Sequence, residues 1–175
     1  MQEVTSFPAD ALRCAADIEL VIFDVDGVLT DGKLYYADDG HEMKAFHVHD
    51  GYAIKLLRTH GVEVAIITGR SSTIVARRAE ELGIVHLYQG VEDKTAALQS
   101  LVITTGIDTA RIAHVGDDLP DLALFERVGM AISVPNGHPL AVAAAQYVTT
   151  TAGGQGVARE LCQLILTAKG RWPYR

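Results

Sequence analysis

Short apolar runs alternate along the chain with segments whose apolar residues recur at helical spacing. The runs cover residues 20–26, 62–68, 85–90, 111–117, 130–134 and 147–150. The helical segments cover residues 51–60, 71–83, 92–106, 121–129 and 138–146. Continuous apolar runs between helices are typical of parallel strands that are buried on both faces. The pattern predicts an α/β fold, a Rossmann-like open parallel sheet with helices on both faces.

Residues 32–50 interrupt this alternation directly after the first predicted strand. The segment has turn residues at Asp39-Gly40 between alternating polar and apolar positions, which predicts a β-hairpin insertion. An insertion of this length is too short to be a large cap domain. Its apolar residues would lack cover within such a small chain, so we expect a partner subunit to cover them. These residues are Leu34, Tyr36, Phe46 and Val48.

Length and composition predict one globular domain over residues 1–175, with a glycine-containing C-terminal tail and helix over 151–175. The net charge of −7, without any basic block, argues against nucleic-acid binding. The N-terminus shows no secretory signal, and residues 128–158 lack charge but are broken by proline and glycine, so we expect no membrane span. Cys14 and Cys162 have no nearby cysteine partner, which fits a cytoplasmic protein.

Polar residues follow several of the predicted strands, at the edge where open α/β sheets bind ligands. Asp24 and Asp26 end the first strand, Thr68 ends the second, and Asp117 ends the fourth. A lone carboxylate at such a place is often only a helix cap, but several strand ends coincide here. Crowded carboxylates repel each other unless a proton or a cation lies between them. An oxygen-only site of this kind predicts Mg²⁺.

The same edge carries groups suited to a phosphate. Thr68 offers a hydroxyl at the start of the following helix, and Lys94 opens the helix after the third strand. Helix N-termini and ammonium groups both attract a dianionic phosphate. A phosphate ester bound beside Mg²⁺ is therefore the expected ligand.

Four motifs in this order resemble those of the haloacid dehalogenase superfamily of phosphatases: FDVDGVLTDG, the Thr68-Gly69-Arg70 strand end, Lys94, and GDDLPD at 116–121. The hairpin, ITGRSS, LYQG and the tail YVTTTAGGQGVARE narrow the resemblance to its capless sugar-acid phosphatases. The resemblance extends from about residue 18 to residue 170. It implies a phosphomonoesterase that uses Mg²⁺.

This resemblance implies specific roles for the strand-end residues. Asp24 would attack phosphorus and become an aspartyl phosphate, while Asp26 would act first as general acid and then as general base. Nearby negative charge is expected to raise the pKa of Asp26. The side chains of Asp24 and Asp117 and the backbone carbonyl of Asp26 would bind the metal. Thr68 and Lys94 complete the catalytic set, and Asp118 and Asp121 would support it.

Substrate contacts are also implied, mainly by residues away from the phosphate. Arg78 is our candidate for the carboxylate of a sugar acid, because a guanidinium can bind it in a bidentate manner. Arg77 fits a solvated helix face. The full set of expected contacts is Asp26, His47, Val48, His49, Asp50, Gly51, Lys55, Gly69, Arg70, Arg78 and Lys94. His47 and His49 also match half of a transition-metal pattern, but no third ligand is evident.

The resemblance further implies a homotetramer in which the hairpin of one chain covers a neighbour's site. The glycine-rich tail would reach a neighbouring site, although a flexible turn explains the same glycines. The substrate implied is an eight-carbon sugar-acid phosphate of lipopolysaccharide assembly, and the alternative is a nine-carbon, sialic-acid-type phosphate. A phosphate-accepting signalling domain uses similar residues, but in a different order along the chain. A family member that has lost activity is disfavoured by the complete set of acids, threonine and lysine.

Overall fold

The structure is a computed structural model that describes residues 6–174. The first five residues and Arg175 of the expected domain and tail lie outside the described residues. The elements, in chain order, are α1 (Ala9–Ala15), β1 (Leu20–Phe23), β2 (Tyr35–Tyr36), β3 (Glu42–Met43), α2 (Val48–Thr59), β4 (Glu63–Ile67), α3 (Thr73–Leu82), β5 (His86–Tyr88), α4 (Lys94–Thr105), β6 (Ile112–Val115), α5 (Leu122–Phe125), β7 (Met130–Ser133), α6 (Pro139–Ala144), β8 (Tyr147–Val148) and α7 (Val157–Ala168).

The main sheet has six parallel strands in the order β5-β4-β1-β6-β7-β8. Each predicted apolar run contains one of these strands, so the predicted α/β sheet is confirmed. The chain leaves β1 toward β4 and β5 and later returns to build β6, β7 and β8 on its other side. A ligand site is expected at the carboxyl ends of β1 and β6, where the direction of winding changes.

Helices cover both faces of this sheet, as the alternation predicted. Val21 and Phe23 of β1 face a core that includes apolar residues of α1, α2, α3 and α7. Leu20 and Ile22 face the other core, which α4 and α5 cover. The side chains of successive strand residues point to opposite faces, and both faces are covered, so all four residues of the strand are fully buried. The central strand is therefore held rigidly from both sides.

The insertion after β1 forms a separate two-stranded antiparallel sheet, with Tyr35 opposite Met43 and Tyr36 opposite Glu42. Gly40 supplies the turn with a φ of 83°. The predicted hairpin is confirmed, but its bounds of 32–50 are too long because helix α2 already begins at Val48. Phe46 packs against the main core rather than remaining uncovered.

Helix α1 was not predicted, since its seven residues show too little periodicity to stand out. Its apolar face packs on α7, the C-terminal helix. Among the residues that the structure describes, no helix has the length and apolar character to cross a bilayer.

Candidate active site

The chain turns sharply where β1 ends, and this turn builds one wall of the site. Asp24 accepts a hydrogen bond from its neighbour, from Val25 N to Asp24 Oδ1 at 2.7 Å. Gly27 has a φ of 92°, and a Cβ placed on it would lie 2.0 Å from Asp117 Oδ2. Only glycine lets the turn approach the carboxylate of Asp117 so closely. The turn therefore brings Asp24 and Asp26 against the end of β6.

A cavity of about 350 Å³ opens at this edge of the sheet. Its lining includes the predicted residues Asp24, Asp26, Thr68, Gly69, Arg70, Lys94 and Asp117. Thr68 follows β4 directly, Lys94 is the first residue of α4, and Asp117 follows β6 after Gly116. Four separate elements thus deliver their polar side chains to one place.

We call the buried side of this cavity the floor, formed by Asp24, Thr68, Lys94, Asp117 and Asp121. Lys94 Nζ lies 3.0 Å from Asp24 Oδ2 and 2.6 Å from Asp121 Oδ1. Asp121 Oδ2 accepts hydrogen bonds from the backbone N–H groups of Asp117, at 3.0 Å, and of Asp118, at 3.2 Å. Both oxygens of Asp121 are therefore bound to donors of this chain.

Burial and charge shift the pKa values of the floor in opposite directions. Burial raises the pKa of Asp24, and the neighbouring Lys94 only partly opposes this. Burial, followed by the charge of Asp24, raises the pKa of Asp117 to about 7. Burial works against the charged form of Asp121 as well, but His114 and Lys94 hold its pKa below the ordinary value. Burial likewise opposes the charge of Lys94, yet Asp24 and Asp121 outweigh it and raise its pKa.

The carboxylates of the floor fit a hard divalent cation. One oxygen from each of Asp24, Asp117 and Asp121 lies within 4.8 Å of the others. Asp121 is already bound to four donors, since His114 joins Lys94 and the two backbone N–H groups. Asp24 and Asp117 are therefore the acids with coordinating capacity left. Burial and, after it, the negative charge of Asp24 raise the pKa of Asp117, and a bound cation would offset both effects. Mg²⁺ prefers such oxygen ligands, so the residues present fit this metal.

Two residues that line the cavity, Asp26 and Arg70, bind the hairpin residues Tyr36, Glu42 and Lys44, and we call these five residues the mouth. Lys44 forms an ion pair with Asp26 Oδ1, and its side chain is only 2% exposed. Arg70 Nη2 donates to Glu42 Oε1 at 2.6 Å and to the Tyr36 hydroxyl at 3.2 Å. Ion pairs within the chain thus join the hairpin to the residues that line the cavity.

The surroundings of Asp26 differ from the sequence expectation. Nearby acids were expected to dominate, but Lys44 pairs with this carboxylate and Arg70 Nε lies 3.7 Å from it. The reason is that the hairpin folds back over the site. Lys44 and Glu42 were missed by sequence reasoning. The signal was their alternation with Met43, which puts both on one face of the strand and its continuation.

Other expected substrate residues lie outside this cavity within the chain. His47, Asp50, Gly51 and Arg78 line a smaller cavity, together with apolar residues of the turn after β1, α2, β4 and α3. Asp50 is buried and accepts a hydrogen bond at Oδ1 from Arg159 N at 2.9 Å, close to the start of α7. Burial raises the pKa of Asp50 to about 6. The structure therefore shows Asp50 bound to α7 and gives it no contact with the main cavity.

The remaining residues of this segment lie on the surface. Val48 and His49 are exposed at the start of α2, and His47 Nδ1 accepts from His49 N at 3.3 Å. Lys55 is exposed and lies in a shallow depression beside Arg58 and Glu81. Among the described residues, the group of side chains that could hold a metal ion does not include His47 or His49.

The glycine-rich tail packs against the turn that carries the acids. Gly154 N donates to Val28 O at 2.9 Å, and Gly153 N donates to Asn136 Oδ1 at 2.7 Å. A Cβ on Gly153 would lie 1.8 Å from Gly27 O. Within this chain Gly153 therefore approaches the backbone of Gly27, and Gly154 approaches the backbone of Thr30 and Asp31.

Comparison with known proteins identifies the family to which this chain belongs. Residues 83–161 match the haloacid dehalogenase-like hydrolase family, Hydrolase_3. A relative from Escherichia coli K12 is 47% identical over 163 residues, which cover 93% of this chain and 87% of the relative. The chain therefore belongs to the haloacid dehalogenase-like hydrolases.

Within that class the similar proteins share a more specific description. The Escherichia coli relative is 3-deoxy-D-manno-octulosonate 8-phosphate phosphatase KdsC. The crystal structure of the Yersinia pestis phosphatase of this name superposes with a TM-score of 0.91 at 45% identity, covering 93% of this chain and 88% of that one. The enzyme from Moraxella catarrhalis, solved with a magnesium ion, a phosphate ion and a KDO molecule, has a TM-score of 0.90 at 46% identity and 94% coverage of both chains.

Proposed function

We propose that this chain is a magnesium-dependent phosphatase that hydrolyses 3-deoxy-D-manno-octulosonate 8-phosphate to the free sugar acid and orthophosphate, a step of lipopolysaccharide biosynthesis. The observation that carries the proposal is the floor, where Lys94 forms ion pairs with Asp24 and Asp121, and where burial and the charge of Asp24 raise the pKa of Asp117 to about 7. A protein of 46% identity binds magnesium, phosphate and KDO together.

Asp24 and Asp117 would hold the Mg²⁺ through their side chains, with the backbone carbonyl of Asp26 as the further expected ligand. When bound, the ion neutralises the acids of the floor and draws negative charge from the phosphate oxygens. Lys94 would add a further positive charge, and Thr68 would add a hydroxyl. The transferring phosphoryl group needs this positioning and charge more than it needs further covalent chemistry.

In the first step an oxygen of Asp24 bonds to phosphorus as the bond from phosphorus to the sugar oxygen breaks. Asp26, in its protonated form, gives its proton to the departing alkoxide. The result is an aspartyl phosphate on Asp24 and a free sugar acid. Asp26 suits this role because it lies two residues beyond Asp24 and lines the same cavity.

In the second step water attacks the phosphorus of the aspartyl phosphate. Asp26, now ionised, accepts a proton from that water, and the bond between phosphorus and Asp24 breaks. Orthophosphate leaves and the carboxylate of Asp24 is restored. The ion pair with Lys44 restricts the orientation of the Asp26 side chain.

Selection of the sugar acid falls to the mouth and to α2 and α3. Arg70 is half-exposed and already binds a carboxylate, that of Glu42, so it can exchange this partner for an anionic group of a substrate. Arg78 lies in the smaller cavity with His47, and Phe46 packs under its guanidinium at 5.9 Å. The alternative substrate is a nine-carbon, sialic-acid-type phosphate, because the floor itself does not contact the distant part of the sugar.

A cytoplasmic homotetramer is the assembly that we propose. Leu34, Tyr36 and Met43 of the hairpin are 47%, 61% and 58% exposed, which leaves apolar surface that a second copy would cover. Sedimentation of a Leu34→Ser/Met43→Ser variant tests this: a shift to a smaller species supports the hairpin as interface, and an unchanged tetramer removes that role.

The test of the function is phosphate release with Mg²⁺ from three substrates. These are 3-deoxy-D-manno-octulosonate 8-phosphate, a sialic-acid-type 9-phosphate and glucose 6-phosphate. We expect the highest kcat/KM on the first by about a hundredfold or more. Comparable rates on all three would leave a general sugar phosphatase, and no release from any would contradict the proposal.

A further inference from the structure

His114 is a buried polar side chain that the mechanism above does not use. It lies in the middle of β6 and has no solvent-exposed surface. Its Nε2 is 2.8 Å from Asp121 Oδ1, and Phe125 packs against its ring with centroids 5.7 Å apart. Because the ionised Asp121 can only accept, the proton of this hydrogen bond must be on Nε2 of the imidazole.

Apolar side chains occupy the other positions of β6. Ile112, Ala113 and Val115 are fully buried, and a polar group among them costs free energy unless it is hydrogen-bonded. Nδ1 of His114 has no hydrogen-bond partner among the described residues, so the bond from Nε2 is what compensates its burial. An apolar residue at position 114 would pack in this core without the cost of burying a polar group.

The partner of His114 is the oxygen that also holds the lysine of the floor. Asp121 Oδ1 accepts from His114 and, at 2.6 Å, from Lys94, whose Nζ continues to Asp24 Oδ2 at 3.0 Å. We infer that His114 is a positioning residue which, through Asp121, sets where Lys94 lies relative to Asp24 and the phosphate. This inference rests on the proposed phosphatase function.

The reason is competition for one carboxylate oxygen. With His114 donating to Oδ1, Asp121 neutralises Lys94 only in part, and the ammonium remains available to Asp24 and to phosphate oxygens. Without that donor, Lys94 would pair more closely with Asp121 and less with the phosphate. The carboxylate of Asp121 would also be less firmly oriented against the N–H groups of Asp117 and Asp118, which it accepts through Oδ2.

Three variants test the inference, each measured per folded chain with Mg²⁺ at saturation. His114→Met removes the donor and keeps an apolar side chain of suitable length. His114→Gln keeps an N–H donor with similar reach. Phe125→Leu is the matched control, because it disturbs the packing of the ring and leaves the hydrogen bond in place.

For His114→Met we expect kcat to fall about tenfold and the inhibition constant of orthophosphate to rise about tenfold, as the loss of one charge-assisted hydrogen bond implies. His114→Gln should return both to within about threefold of the parent. Phe125→Leu should lower the melting temperature and leave kcat and orthophosphate binding unchanged. The kcat and the inhibition constant of orthophosphate therefore distinguish positioning of Lys94 from a purely structural role.

The inference is overturned if His114→Met equals the parent in both constants, or if His114→Gln is as impaired as His114→Met. Should the methionine variant not fold, nitrogen-15 spectra of histidine-labelled parent protein decide: a protected proton on Nε2 supports the bond, and a proton found on Nδ1 alone contradicts it. A parent protein that neither releases nor binds phosphate would instead defeat the proposed function.

Discussion

The floor and the mouth of the cavity are built in different ways. In the floor, Asp24 directly follows β1, Lys94 begins α4, and Asp117 follows β6 after Gly116. Backbone hydrogen bonds and two apolar cores fix these elements. In the mouth, Lys44 and Arg70 are held by ion pairs between side chains of a two-stranded hairpin and a strand end. The proposed nucleophile and metal ligands are thus placed by the backbone, whereas the surroundings of Asp26 and the proposed contacts to the sugar depend on ion pairs between side chains.

Removal of the proposed nucleophile, Asp24, should have the largest effect and tests whether the floor carries the chemistry. Asp24→Asn should lower kcat by at least about a thousandfold, because an amide cannot form the phosphoryl intermediate. Asp39→Asn, in the exposed turn of the hairpin, is the matched control and should retain the parent rate. Phosphate release measures both. Near-normal turnover by Asp24→Asn would assign the chemistry to another residue.

Loss of Lys44 tests whether the mouth also supports the chemistry. Lys44→Met removes the ion-pair partner of Asp26 and should lower kcat/KM about a hundredfold, through a misplaced general acid and base. Lys33→Met alters an exposed hairpin lysine, 72% accessible, and should have little effect. Equal effects of the two variants would show that the ion pair between Lys44 and Asp26 does not affect the reaction.

Arg70 tests selection more specifically. Arg70→Ala should raise KM for the sugar-acid phosphate about tenfold and change KM for p-nitrophenyl phosphate much less. Arg77→Ala, on the exposed face of α3 beside Glu81, is the control. If both substrates lose affinity equally in Arg70→Ala, this arginine binds the phosphate and does not select the sugar.

Magnesium should stabilise the protein in a pH-dependent way that the floor determines. The pKa of Asp117 is raised from 3.8 to about 7, so the carboxyl is largely protonated in the metal-free fold at pH 5 and largely ionised at pH 8. Because a carboxylate binds Mg²⁺ only when ionised, the ion should raise the melting temperature more at pH 8 than at pH 5. Calorimetry with and without a chelator measures this. The reverse order would contradict the assignment of Asp117.

The smallest expected effect concerns Asp50, away from the floor. Its pKa rises from 3.8 to about 6 on folding, so the folded chain binds this proton more tightly than the unfolded chain. Stability therefore falls by up to about 3 kcal/mol as pH rises from about 4 to about 6, and the loss persists above it. Asp50→Asn should flatten that dependence in urea unfolding. An unchanged pH profile would contradict the burial of this charge.

The floor was predictable from sequence, whereas the part of the mouth that the hairpin contributes was not. Asp24, Thr68 and Asp117 each end an apolar run, and the ends of parallel strands meet at one edge, so pattern alone brings them together. No such rule places Lys44, because its contact with Asp26 depends on how the hairpin folds back. Likewise, the bond between Asp50 and α7 joins residues 109 positions apart that no periodicity relates.

The central claim, that Asp24 accepts the phosphoryl group, is tested most directly by rapid acid quench during turnover. Peptide mass analysis then locates any phosphoryl group on the chain. We predict a transient phosphoryl group on Asp24 that appears before orthophosphate and decays as the substrate is used up. Release of orthophosphate with retention of configuration at phosphorus would agree. Inversion at phosphorus, or a phosphoryl group on another residue, would contradict the account.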